Sequence, residues 1–256
     1  MKYQLDFNDK VVAITGASRG IGRSIAVGFG SLGANVILIS RNKEKLEETA
    51  TQVKEVGGEA NIIVADLTNL EQIKEVVNII KQDYSRLDVL VNNAGIARRK
   101  PSVEVSEDDW DTILDTNLKS YFFMSTLIAK ELMMKQGHGK IVNVASIGGI
   151  VGITRSAPYS SSKGGVVLLT KVLGCEWAKY NIQVNAVGPA YTNTELIAKA
   201  IQDKEFLDTI ISRTPAKRLA EPEEIVGGVL YLASDLANYV TGHTLLIDGG
   251  LTAFGV

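Results

Sequence analysis

Short runs of β-branched and other apolar residues alternate along the chain with longer stretches whose apolar positions recur at helical spacing. The runs at 11–15, 35–40, 60–65, 87–91, 140–145, 182–187 and 244–247 predict strands. The stretches at about 20–32, 43–56, 70–84, 108–135, 158–179 and 222–232 predict helices between them. Strand positions such as Val11, Val12, Ala13 and Ile14 are apolar one after another, so both strand faces are buried. That is the pattern of a parallel sheet covered by helices on each side. Regular strand–helix alternation predicts right-handed βαβ units, hence an α/β, doubly wound fold. No linker, low-complexity tract or internal repeat interrupts the pattern, so 1–256 is read as one unit. Residues 192–215 predict an extra helix within a substrate lid that spans about 190–215.

Hydrophobic residues make up 45% of the 256 positions, enough for a large core. Lys and Arg total 27 against 29 Asp and Glu, which gives no electrostatic basis for nucleic acid or a membrane surface as partner. The one cysteine, Cys175, excludes an internal disulfide and a cysteine-rich metal site. With only two histidines, His138 and His243, no metal centre is expected. The first residues lack an apolar leader, and no run approaches the ~18 apolar residues of a membrane span, so a cytoplasmic protein is expected.

Tyr159 and Lys163 carry the candidate chemistry, with Ser146 upstream. A phenol of pKa about 10 is a poor acid or base near neutrality. A lysine one helical turn later shares its face, and its ammonium favours the phenolate. Bringing the phenol to about pH 7 requires roughly 4 kcal/mol of differential stabilisation, the scale a nearby ammonium and a cationic nicotinamide can supply together. A serine hydroxyl beside the pair can hold a substrate oxygen. The set suits proton transfer to or from a carbonyl or alcohol.

Gly16, Gly20 and Gly22 follow the first predicted strand and open the first helix. There they permit a tight turn and close approach to a pyrophosphate at a helix N-terminus. The plainer alternative is an ordinary glycine-rich turn. About 20 residues on, where an acid commonly bonds the ribose 2′-hydroxyl of NAD, stand Ser40 and Arg41. With no anion to repel a 2′-phosphate, and with Arg19 also in reach, NADP is the expected cofactor. Otherwise both arginines are solvated loop residues. Asp66 can accept from an adenine amino group or merely begin the following helix. The run from Asn92 to Gly95 can pass under a cofactor and fix neighbouring strands through its amides, or form a plain turn.

In joint order and spacing, these residues with Asn117, Pro189, Thr194 and the closing run from Ile247 to Gly250 resemble the short-chain dehydrogenase/reductase family over about 10–250. The resemblance implies one Rossmann domain with a seven-stranded sheet ordered 3-2-1-4-5-6-7, a nicotinamide cofactor and a homotetramer. It implies Tyr159 as general acid/base, Lys163 as the group that lowers its pKa and holds the nicotinamide ribose, and Ser146 as orienter of the carbonyl. Asn117 resembles the residue supporting a water-linked proton path to Lys163. The implied cofactor set is Gly16, Ser18, Arg19, Gly20, Ile21 and Gly22, then Ser40, Arg41, Asp66 and Leu67, then Asn93, Ala94 and Gly95, with Tyr159, Lys163, Pro189, Thr192 and Thr194. One departure is visible: Ala190 follows Pro189 where the family usually has glycine, which puts the loop geometry in question.

Several stretches, among them 97–101 and 157–160, resemble the gluconate 5-dehydrogenase-like branch, which acts on sugar acids and polyols. Arg99 matches an arginine near the substrate end there and can grip a carboxylate, beside Ser146 and Tyr159; its alternative is a surface loop charge. The expected partner is thus a small keto-sugar acid or polyol. The rival is a 3-oxoacyl-(acyl-carrier-protein) reductase, but Gly137 and Tyr180 stand where such enzymes carry basic docking residues, although Lys135 and Lys179 are adjacent. A third reading is an idle NADP-binding sensor, disfavoured by the complete Asn117, Ser146, Tyr159 and Lys163 set.

Overall fold

A computed structural model describes residues 5–254; the ends of the expected 1–256 unit, 1–4 and 255–256, and with them the expectation about a leader, lie outside the described residues. Seven strands form one parallel sheet in the order β3-β2-β1-β4-β5-β6-β7. They are β1 (Val11–Thr15), β2 (Asn35–Ser40), β3 (Glu59–Val64), β4 (Val89–Asn92), β5 (Gly139–Val144), β6 (Ile182–Pro189) and β7 (Thr244–Ile247). The helices are α1 (Gly20–Gly30), α2 (Lys43–Glu55), α3 (Leu70–Tyr84), α4 (Glu107–Leu114), α5 (Ser120–Ile128), α6 (Met134–Gln136), α7 (Ala157–Trp177), α8 (Lys204–Arg213) and α9 (Pro222–Ala233).

The two-residue period of the strands divides the core. Val12, Ile14, Val36 and Leu38 pack with Phe29 of α1, Leu46 of α2 and Val229 of α9. Their neighbours Val11, Ala13, Ile37 and Ile39 pack on the opposite face with Ile73 of α3, Met124 of α5 and Leu173 of α7. Both faces are therefore covered, and β1, β4, β5 and β6 are buried throughout.

Three expectations shift. The third, fourth and fifth strands lie at Glu59–Val64, Val89–Asn92 and Gly139–Val144 rather than 60–65, 87–91 and 140–145. The sixth continues through Gly188 to Pro189, which pairs with Ile247. The helix expected at 108–135 is interrupted by wide π turns at Asp115–Lys119 and Ala129–Met133. Such bulges frequently mark functional sites, and the first contains Asn117. In the expected lid, α8 occupies Lys204–Arg213, and the loop before it is tied back where Asn193 N–H donates to the Ala220 carbonyl at 2.8 Å.

Candidate active site

The carboxyl ends of β1, β4, β5 and β6 open into one cleft of about 980 Å³. The strand order reverses beside β1, the place where open α/β sheets bind ligands. At one end lies the glycine turn. Gly16 and Gly20 have φ of 64° and 52°, left-handed values that glycine adopts without strain. A Cβ on Gly22 would lie 2.3 Å from the Gly16 carbonyl oxygen and 2.4 Å from Asn93 Nδ2. That Nδ2 donates to the carbonyls of Thr15 (3.0 Å) and Gly16 (3.1 Å), while Thr15 Oγ1 accepts from Asn93 N–H (2.9 Å) and Ala94 N–H (3.1 Å). Arg23 braces the other side, donating to the Ser18 carbonyl and to Glu48, both at 2.8 Å. Helix α1 begins with no side-chain cap and no acid in its first turn. Its free N–H groups and positive dipole end fit a pyrophosphate.

Further along the cleft, Ser18, Arg19, Ile21, Ser40, Arg41, Asp66 and Leu67 form the wall, with Lys45 and Thr68. No carboxylate stands at the end of β2. Asp66 Oδ1 accepts from Thr68 N–H (3.0 Å) and Thr68 Oγ1 (2.9 Å), so this oxygen organises the turn before α3. Asp66 Oδ2 lies 3.8 Å from Arg41 Nη1. Of the two carboxylate oxygens of Asp66, Oδ2 is the one not bonded to Thr68. An exposed pair at this distance is weak, so Arg41, 69% exposed, can still turn to a phosphate.

Ser146, Tyr159 and Lys163 meet at the far end of the cleft and line it. Ser146 follows β5, and its Oγ accepts from Gly148 N–H at 3.0 Å, which fixes the turn carrying it. Tyr159 lies in the first turn of α7, just after Pro158, and Lys163 one turn later. Asn117 holds the assembly by its side chain: Oδ1 accepts from Ile96 N–H (2.9 Å), and Nδ2 donates to the Ile96 carbonyl (2.9 Å) and Ser162 Oγ (3.1 Å). Both amide donors are thereby engaged, and the loop after β4 is pinned to α7. The proton path expected through Asn117 cannot use those donors. Gly95 sits beside this junction, since a Cβ there would be 3.5 Å from Asn117 Oδ1 and 3.7 Å from Lys163 Nζ.

Burial acts on the electrostatics of both groups. Burial raises the Tyr159 phenol above its ordinary value, the Ser146 hydroxyl pulls it down, and Tyr191 adds to the rise. Lys163 is itself pulled down to about 7 by burial. Its Nζ donates to the Val144 carbonyl at 2.7 Å and to Tyr121 Oη at 3.4 Å. Burial thus disfavours the charged form of each group, so in the protein alone the Tyr159 phenol is held in its neutral form.

At the outer mouth the three consecutive cations 98–100 separate. Arg98 donates to Asp109 at 2.7 Å, and Lys100 bonds the other oxygen of the same buried carboxylate. These two cations hold Asp109 well below the usual carboxylate range despite its burial, with Ser106 adding hydrogen bonds. Arg99 instead lies with its guanidinium carbon 3.8 Å from the Phe206 ring centre, and Phe206 packs edge-on to Tyr191 at 5.9 Å. Pro189, Ala190, Thr192 and Thr194 line the adjoining wall. Ala190 is not among the residues of positive φ, so its methyl group fits where the family usually has glycine.

Sequence reasoning missed Tyr121, Arg23, Phe206 and Tyr191. Tyr121 reads as core in an apolar run; its one signal is its place a helical turn after Asn117. Arg155, also on the cleft wall, has φ of 60°, and its carbonyl accepts Lys100 N–H at 2.9 Å.

This fold and cleft define a dinucleotide-binding sheet with a Ser/Tyr/Lys constellation at its crest. The family model described as enoyl-(acyl carrier protein) reductase matches residues 16–252. The chain belongs to the short-chain dehydrogenase/reductase family of oxidoreductases. It is 38% identical over 239 residues to the gluconate 5-dehydrogenase of Gluconobacter oxydans, covering 93% of each chain. It is 41% identical over 242 residues to the 3-oxoacyl-(acyl-carrier-protein) reductase of Thermotoga maritima, covering 94% of this chain and 97% of that protein. A solved gluconate 5-dehydrogenase from Burkholderia cenocepacia, in complex with NADP and tartrate, superposes with a TM-score of 0.94 at 35% identity, covering 98% of each chain.

Proposed function

We propose that this protein is an NADP-dependent oxidoreductase that interconverts a ketone and a secondary alcohol on a small keto-sugar acid or polyol. The observation that carries the reading is the convergence of Ser146, Tyr159 and Lys163 on the cleft that starts at the glycine turn. The uncapped start of α1 and the turn around Gly22 fit the pyrophosphate, and Arg41 with Arg19 suits a 2′-phosphate.

When bound, the reduced nicotinamide supplies the hydride. Tyr159 gives its proton to the ketone oxygen, and its raised pKa keeps that proton in place at neutral pH. Ser146 donates to the same oxygen as charge develops on it. Lys163 holds the ribose through an N–H not used on Val144 or Tyr121. In the oxidative direction Tyr159 must first lose its proton, so alkaline pH favours alcohol oxidation.

Arg99 supports the sugar-acid reading, because Asp109 takes up the charges on either side and leaves Arg99 without an ion-pair partner among the described residues. The 41% identity to a carrier-protein reductase supports a second reading, action on β-ketoacyl groups. Against it, Gly137 and Tyr180 carry no charge, Lys135 is paired with Glu131 at 3.1 Å, and Lys179 lies over Tyr180. NADPH oxidation measured with 5-keto-D-gluconate and with a carrier-bound β-ketoacyl thioester tests both. Turnover of the thioester alone overturns the sugar-acid reading, and turnover of no ketone overturns the enzyme reading. We also infer a homotetramer, supported by the exposed apolar residues Phe122 on α5 and Leu168 and Val172 on α7. Light scattering is expected to give four times the chain mass, and a stable monomer at micromolar concentration contradicts it.

A further inference from the structure

Tyr121 is 1% exposed, yet its hydroxyl is not idle. It donates to the Val144 carbonyl at 3.3 Å and accepts from Lys163 Nζ at 3.4 Å, while the same Nζ donates to the Val144 carbonyl at 2.7 Å. The three groups close a triangle between α5, α7 and the end of β5. Nζ also lies 5.0 Å from the centre of the Tyr121 ring, within the range of a cation–π contact. Tyr121 itself does not line the cleft, whereas Lys163 does.

An ammonium has three N–H donors. Val144 and Tyr121 take two, which leaves one for the cleft beside Gly95. Among the described residues no carboxylate forms an ion pair with Lys163. Among the described residues, the titratable side chain bonded to it is the Tyr121 phenol from α5, while Tyr159, one turn before it on α7, lines the same cleft. A buried lysine without a counter-ion depends on neutral acceptors to stay charged and to stay in one place.

We propose that Tyr121 is a positioning residue for Lys163: its hydroxyl and ring form a seat behind the cleft wall that steadies the ammonium and leaves one donor facing the ribose. The proposal rests on the assignment of Lys163 to the reaction. Its physical core, the seat, is tested apart from that assignment and without bound cofactor.

Tyr121→Phe keeps the ring and removes the acceptor. Lysine side chains carrying ¹³C at Cε are titrated by NMR in the cofactor-free protein, with Lys163 assigned by its loss in Lys163→Met. Loss of one acceptor is expected to move the Lys163 titration down by about half a pH unit to one unit. In turnover, kcat is expected to fall while KM for the ketone holds, and the pH profile of kcat to move in the same direction. If Tyr121→Phe does not fold, Tyr121→Met, which lacks both hydroxyl and ring, is expected to move the titration down by at least as much. A Lys163 titration that stays put in a folded variant overturns the proposal and reduces Tyr121 to core packing. A shifted titration without any turnover in the wild type would sink the enzyme reading and leave the seat standing.

Discussion

Arg99→Ala separates charge recognition from lid packing. A charge-assisted hydrogen bond to a buried or half-buried carboxylate is worth about 1.5–3 kcal/mol, so its loss lowers kcat/KM for a keto acid by about 10- to 150-fold. The same change also removes the Arg99 guanidinium, whose carbon lies 3.8 Å from the ring centre of Phe206 on α8. That contact is worth about 0.5–1 kcal/mol, or about 2- to 5-fold, and its loss weakens charged and neutral substrates alike. The readout is therefore a ratio: kcat/KM for 5-keto-D-gluconate over kcat/KM for an uncharged ketone of similar size. Arg99→Ala is expected to lower this ratio by about 10-fold or more. Arg98→Ala and Lys100→Ala serve as controls, because each cation is already bonded to Asp109. They are expected to lower the melting temperature, by exposing that buried carboxylate to a lost partner, and to leave the ratio near its wild-type value. Equal losses on both substrates in Arg99→Ala would refute carboxylate recognition and leave Arg99 as a lid contact.

Further outcomes follow from other parts of the cleft. Tyr159→Phe is expected to lose about 100-fold or more in kcat while retaining NADPH binding measured by fluorescence, and near-wild-type turnover would remove Tyr159 from its role. Arg41→Ala is expected to weaken NADPH about 10-fold or more with little change for NADH, and adding Ser40→Asp to turn the preference toward NADH; a wild type that prefers NADH contradicts both. Lys163 titrates at about 7 in the fold, below its unfolded value, so the folded chain carries a penalty for its charge up to about pH 7. That penalty is relieved as pH rises toward the unfolded pKa, at up to about 1.4 kcal/mol per pH unit. Between pH 7 and 10 the wild type is therefore expected to gain stability relative to Lys163→Met in denaturant unfolding, and parallel pH curves would contradict a desolvated lysine.

Where a segment's own residues determine its form, the sequence was legible. The strands at Val11–Thr15 and Asn35–Ser40 are continuous apolar runs closed by turn residues, and their limits agree with the reading. The edge strand Glu59–Val64 is partly exposed, so apolar residues mark its limits poorly. Gly188 and Pro189 resemble a turn, yet the strand continues through them because the neighbouring β7 fixes their backbone. The wide turn at Asp115–Lys119 adds a residue to a helix without altering its composition, so nothing local marks it. The same division holds in the cleft. The spacing of Tyr159 and Lys163 and the glycines of the first turn are local patterns. The acceptors of Lys163 come from β5 and α5, and Arg98, Arg99 and Lys100 are alike by composition until the fold brings Asp109 to two of them.

The position of β1 inside the sheet, between β2 and β4, has a consequence for how the molecule is made. Synthesis delivers β1, β2 and β3 first, and these can pair as soon as residue 64 is available. The other edge of β1 has no neighbour until 89–91 arrive, so the unpaired N–H and C=O groups of a strand buried in the finished fold stay open for the intervening time. The glycine turn is unfinished in the same interval, because its carbonyls at Thr15 and Gly16 are held by Asn93. Lys163 follows later still, with its seat assembled from segments first made 19 and 42 residues earlier. A nascent chain ending before β4 thus contains every glycine of the nucleotide turn and still lacks its shape, and it carries the edge that a chaperone or a second nascent chain can recognise.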